Sequence, residues 1–417
     1  MKINDLEIDL NTEGWDKSEG RSNNVWGQVP TSNLPFKAIE NAINENHKSC
    51  IWTCYDEEIY QKDKNGNLLP LNKEKLPKTI SATVKFYFEN RIAVVAENLG
   101  MRIAVALDMP TSYNYIVKFD KEKYPQVLRN FPSPSLEKKV LPYAVVSVDF
   151  LKAQHSPARE IDEDYKTAFS GDELILFERS IRHSKMFGTA QPGHYTDSIE
   201  FRYIENWIKS VDYYADKILT DATAEERQKT MEKINSRIVR SFLLREFVGD
   251  CDFTDKNGGL IINRDLKEVA FAPNFDYGQS FNALISKKFS YLRPKEELEE
   301  ILKWQPDFLE KNNNILTETL AQQYAGDASE RNLKYVIKNY PSEVKEFTNR
   351  LVKMIREEKF DDLVDSYTAK YDVETALLSN EEAKMFKIYL NTRAGWLQNK
   401  MEIFSQKQNT FDKNFSL

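Results

Sequence analysis

An aspartate, an asparagine five residues on, and a second aspartate beyond a short turn and strand hold the densest chemistry in this chain: Asp252, Asn257 and Asp276. Asp252 can orient or deprotonate an attacking hydroxyl. The Asn257 oxygen and the Asp276 carboxylate are hard ligands, suited to a magnesium ion that also holds the phosphates of ATP. Phosphoryl transfer needs those parts, because its catalysis is mostly positioning and neutralisation of phosphate charge. On residue types alone, the same stretch also suits two loops closed by Asx-turns.

The surrounding elements favour the first reading. Residues 231–248 have the spacing of an amphipathic helix, with Met231, Ile234, Ile238 and Phe242 on one stripe. Gly249 breaks it. A short buried strand at 260–262, a turn at 263–265 and a returning strand at 269–271 follow. A helix, a polar loop, a hairpin and an acidic loop form the layout of a kinase catalytic loop and its metal-binding loop.

Here the chain resembles a known family. Gly249-Asp250-Cys251-Asp252 through Asn257, then Ala272-Pro273-Asn274-Phe275-Asp276, is similar to the paired motifs of HipA-like kinases. Their catalytic lobe is shared with phosphatidylinositol-kinase-like enzymes. The resemblance implies that Asp252 is the catalytic Asp and that Asn257 and Asp276 hold Mg2+. One position departs: Thr254 stands where the family has His, keeping a hydroxyl but no imidazole.

A kinase also needs a strand Lys at the nucleotide phosphates and a helical Glu to hold it. Residues 80–88 alternate as a strand, and 89–107 form a helix with Ile92, Val95, Leu99, Ile103 and Ala106 on one stripe. Pro110 stops that helix, and strands follow at 113–119 and 141–150. By the resemblance, Lys85 takes the phosphate role and Glu97 positions it; Lys118 is the rival lysine. The stretch from Val148 to Phe150 would read the adenine edge, and Lys256 would neutralise phosphate charge. No GxGxxG or GxxxxGK[S/T] loop is present to cover phosphates.

The expected fold is α+β, a two-lobed protein-kinase-like fold of the HipA type. Residues 1–50 form an N-terminal extension and 51–146 a small β-rich lobe. The large lobe spans 147–292 and carries both loops; residues 293–417 are its helical C-terminal part. A helix at 36–46 and a hairpin around Asn65-Gly66 are expected, the Asn-Gly pair tolerating positive φ. Further helices are predicted at 199–215, 224–248, 294–304, 311–323, 329–358 and 379–406. Ser379 and Glu382 form a capping box at the start of the last.

The 417 residues, 41% hydrophobic and 29% charged, suit a soluble protein with a sizeable core. A net charge of −7 argues against a nucleic-acid binder working through a broad basic field. The polar amino terminus, the lack of a long apolar run and only three cysteines predict a cytoplasmic protein without membrane or disulfides. Four scattered histidines lack metal-ligand spacing, and Arg179, Arg182, His183 and Lys185 read as a solvated basic turn. The expected reaction is transfer from ATP to a Ser/Thr hydroxyl of a protein substrate, with an antitoxin-like regulator as a family-implied partner. A lipid or small-molecule acceptor, and a non-catalytic binding module, remain open on the residues.

Overall fold

Period-two alternation gives residues 79–88 two different faces, and the strand uses both. The computed structural model describes residues 3–5, 24–30, 79–88, 91–107, 109–112, 114–125, 139–148, 172–177, 203–250, 257–264, 267–278, 280–281, 326–368 and 376–415. Five strands are β1 (Asn4–Asp5), β2 (Asn24–Pro30), β3 (Thr79–Phe88), β4 (Asn114–Lys118) and β5 (Val140–Val148). They form one sheet in the order β1-β4-β5-β3-β2. All neighbours are antiparallel except β1 and β4. One face of β3 buries Ala82, Val84 and Phe86. The other carries Lys85 and Tyr87 toward helix α1 (Arg91–Ala106), where Tyr87, Ile116 and Val145 join the helix's own apolar residues in one core.

Helix α1 forms where its stripe predicts, and Val95, Leu99 and Ile103 are fully buried. Its last carbonyls are taken up by the amides of Leu107 and Met109, both at 2.9 Å, before Pro110 ends the run. Strand β4 then returns against β5, with Ile116 opposite Val145.

A second, three-stranded sheet joins β6 (Asp172–Leu176), β7 (Gly259–Asn263) and β8 (Glu268–Phe271), all antiparallel. Helices α2 (Ile204–Ile218) and α3 (Ala224–Val248) pack against it. Thr223 and Glu226 cap α3 reciprocally, which satisfies two of its free amides. At its other end Gly249 adopts φ +63°, and the amide of Asp250 reaches the Arg245 carbonyl at 3.0 Å. This Schellman closure ends the helix at Gly249 and Asp250. The side chain of Phe177 stacks on Trp207, centroids 4.7 Å apart, and its amide holds the Gly258 carbonyl at 2.9 Å.

Beyond these sheets lie α4 (Gly326–Asn339), α5 (Pro341–Arg356), α6 (Lys359–Asp365) and α7 (Asn380–Phe415). One helix was expected over 329–358; two form, because Pro341 has no amide hydrogen to continue α4 and instead starts α5. The capping box at Ser379 is made. The Ser379 amide donates to Glu382 Oε2 at 2.7 Å, and the Glu382 amide to Ser379 Oγ at 3.1 Å. The helix it opens runs to Phe415, past the expected end. Among the described residues the result is a mixed α and β fold, mostly helical, with two small sheets. Expected elements at 36–46, 57–71, 294–304 and 311–323 lie outside the described residues, as do the three cysteines, four histidines and the basic turn at 179–185. Among the described residues, no helix is long and apolar enough to cross a membrane.

Candidate active site

Strand β3, helix α1 and the loop after β8 bring three charged side chains to one point. Lys85 Nζ donates to Glu97 Oε2 at 3.0 Å and to Asp276 Oδ1 at 2.6 Å. The Tyr87 hydroxyl donates to the same Glu97 oxygen at 3.1 Å, and the Tyr277 amide to Glu97 Oε1 at 3.0 Å. Glu97 is therefore used at both oxygens and buried. Burial works against the Lys85 charge, but Asp276 and then Glu97 outweigh it and hold the ammonium well above its usual range. Lys85 in turn is the main cause that holds the Asp276 carboxyl below its ordinary value, against burial. Burial, then Glu97, pushes the Tyr87 phenol well up, so it stays a donor.

The loop that presents Asp276 is pinned on both sides. Asn274 pairs with Thr111 as an isolated parallel bridge. Its side chain donates to the Pro110 carbonyl at 2.9 Å and accepts from Ser241. From beneath, the guanidinium of Arg245 donates to the carbonyls of Phe275 and Asp276, lies 4.1 Å from the Tyr277 ring centroid, and pairs with Asp250. Arg245 and Asp250 side chains are 1% and 0% exposed. Asp276 adopts φ +58°, a conformation in which Asp is tolerated better than most residues. Its side chain keeps 38% of its surface open, so a ligand can reach the carboxylate.

Gly278 closes the site by what it lacks. A Cβ there would sit 2.7 Å from Lys85 Nζ and 2.8 Å from Glu97 Oε2. Both are ends of flexible side chains, so the fold can adjust while the ion pair cannot stay where it is. We expect Gly278→Ala to change thermal stability little yet weaken the nucleotide binding that the motif resemblance implies by about tenfold, the scale of one displaced buried hydrogen bond. Equal losses of stability and binding, read by thermal melts and calorimetry, would refute this.

No protein-family model and no curated protein sequence matches the chain. Several solved structures are similar to it, among them the following two. One is the Helicobacter pylori proinflammatory kinase CtkA, at 13% identity over 79% of this chain and 92% of that chain, with a TM-score of 0.44. The other is HipA of Shewanella oneidensis MR-1, from a complex of the toxin–antitoxin system HipA, HipB and its operator DNA. There the identity is 10%, the coverage 91% of this chain and 73% of that chain, and the TM-score 0.38.

Of the residues singled out in the sequence, Lys85, Glu97 and Asp276 meet. Lys118 lies two strands away on β4, opposite Tyr143. Asn257 sits two residues before β7 and Asp276 five after β8, and the pairing of Leu260 with Phe271 puts both at the same end of the hairpin. Val148 ends β5, paired with Ala82. Asp252, Thr254, Lys256 and Phe150 lie outside the described residues. The donors that are described fit a magnesium nucleotide. Magnesium takes one or two carboxylates and completes its shell with phosphates and water; Asp276 offers an accessible carboxylate beside a charged lysine. Among the described residues no group of three His, Cys, Asp or Glu forms an all-protein cage.

Sequence reasoning missed Tyr87, Arg245 and Gly278. Arg245 had a readable signal. It follows Ile238 and Phe242 at i+7 and i+3, so it lies on the apolar stripe of α3, where a lone charge demands a buried partner. Tyr87 follows Lys85 by two residues and so must share its face, but nothing in the sequence says that its hydroxyl reaches Glu97.

Proposed function

We propose that the chain is an ATP- and magnesium-dependent phosphotransferase of two-lobed, kinase-like architecture that phosphorylates Ser or Thr of a protein. The observation that carries this reading is the meeting of Lys85 with Glu97 and Asp276, from three elements far apart in sequence. In it, residues 51–146 act as the small lobe and 147–292 as the catalytic part of the large lobe, extended by 293–417. The N-terminal 50 residues are an extension that adds strands β1 and β2 to the sheet of that lobe.

Magnesium-ATP would supply the phosphoryl group and neutralise its charge. Asp276 and Asn257 hold the metal. Lys85, kept cationic by its carboxylate neighbours, turns toward the nucleotide phosphates, and Glu97 keeps its stem in place. Lys256 adds positive charge, and the backbone from Val148 to Phe150 borders the adenine. Asp252 orients the acceptor hydroxyl and takes its proton. An antitoxin-like regulator is the partner class that the motif resemblance suggests.

The deciding experiment is magnesium-dependent transfer from γ-labelled ATP, to the protein itself and to cell lysate, with Asp252→Asn beside the wild type. Label that appears with wild type and vanishes with the variant is the expected result. ATP binding without any transfer to self, lysate, lipid or small molecules would favour a non-catalytic binding module instead.

A further inference from the structure

Helix α1 is held at its back by the C-terminal helices. Three of its residues, Arg91, Asn98 and Arg102, lie at i, i+7 and i+11 and so share a stripe distinct from the one that carries Glu97. Each has a partner from residues 350–382. Arg91 pairs with Glu382 at 2.8 Å. Arg102 donates to Ser366 Oγ at 2.6 Å and lies 5.2 Å from the Tyr367 ring centroid. Past the end of the helix, Arg350 donates to the Leu107 carbonyl at 2.8 Å.

The central contact is the tightest built. The Tyr367 hydroxyl donates to Asn98 Oδ1 at 2.5 Å, with Tyr367 0% exposed. The Asn98 amide group donates in turn to the Asn114 side-chain and backbone oxygens at 2.8 and 3.1 Å. Asn114 Nδ2 reaches the Glu97 carbonyl at 3.2 Å. A buried amide with its donors and acceptor all engaged fixes orientation, because each lost bond leaves an unsatisfied group. This chain of bonds ends on the backbone of the residue that holds Lys85.

We propose that Tyr367 is a positioning residue: through Asn98 it lets the C-terminal helices set the placement of Glu97, and with it the affinity of the site for nucleotide. The region after residue 350 is then part of the nucleotide-binding machinery rather than an appendage, and anything that bends it is felt at Lys85. The coupling is local and contiguous, which is the form in which packed elements transmit a shift.

The test is Tyr367→Phe, which removes one hydroxyl and keeps the ring. Two readouts are taken on the full chain. The first is amide hydrogen exchange. Faster exchange across residues 91–106, with 259–271 as protected as in the wild type, is expected; acceleration confined to 363–368, or spread over the whole chain, overturns the proposal. The second is a double-mutant cycle on magnesium-ATP affinity with Glu97→Gln, and this arm rests on the proposed function. Tyr367→Phe should weaken binding by about tenfold in the wild type, the scale of one buried hydrogen bond, and have little further effect once Glu97 is changed. Full additivity would mean a general loss of stability and sink the positioning role. If the wild type binds no magnesium-ATP, the proposed function falls, and exchange across 91–106 alone decides whether Tyr367 braces the helix.

Discussion

Replacing Asp276 by Ala is expected to abolish magnesium-dependent ATP binding. Outer partners of a metal site are worth about 10–100-fold in affinity, so loss of the proposed carboxylate ligand itself should exceed about 100-fold by calorimetry. Alanine also tolerates the left-handed backbone at this position less well than Asp. Asp276→Asn is therefore the sharper variant: Asn keeps an oxygen and accepts φ +58°, and removes only the charge. If Asp276→Asn binds magnesium-ATP as the wild type does, the ligand assignment is wrong.

The same carboxylate carries a pH prediction. Asp276 is depressed, chiefly by Lys85, so the pair contributes stability above the unfolded Asp value of about 4 and loses it as pH falls through the lower folded value. Lys85 is raised, so its contribution is complete below about 10.4 and lost only as pH rises through its higher folded value. Between those limits both groups stay charged. At about pH 8, where the terminal phosphate of ATP has already lost its last proton, binding should release no proton. Calorimetry in two buffers of unlike ionisation enthalpy reads this directly.

The second large effect is expected at Arg245. Arg245→Met should destabilise the protein by about 3–5 kcal/mol, because buried Asp250 loses the guanidinium that balances its charge. Adding Asp250→Asn should restore much of that stability, since a buried ion pair can be replaced by less polar groups at little net cost. It should not restore nucleotide binding, because the carbonyls of Phe275 and Asp276 have still lost their donor. Urea midpoints and calorimetry separate the two. Recovery of both together would show that Arg245 serves only the fold.

Much of the scaffold of the site was readable before any coordinates. Alternation marked β3, a stripe at helical spacing marked α1, and Asn-Arg-Asp between two apolar runs marked the hairpin of β7 and β8. These signals lie in the spacing of each element's own apolar residues and need no distant partner to be read. What remained hidden depends on partners distant in the chain. Strand β2 comes from a stretch whose pairing with β3 leaves no mark in its own sequence. Arg91, Asn98 and Arg102 have the look of a solvated helix face, and only the arrival of residues more than 240 positions later buries Asn98 and gives both arginines their partners. The break at Tyr340-Pro341 is marked by the proline, but the apolar spacing continues across it and reads as one helix.

The bridge between Thr111 and Asn274 ties the segment entering β4 to the segment leaving β8 by backbone, five residues after α1 ends and two before Asp276. Rocking of one sheet against the other would turn about this joint as a door does about its pin. Points on the axis scarcely travel, while the outer rims swing widely. Lys85, Glu97 and Asp276 would then remain assembled through opening and closing, and on the proposed function the stroke would be spent at the mouth, where a substrate would enter and a product leave.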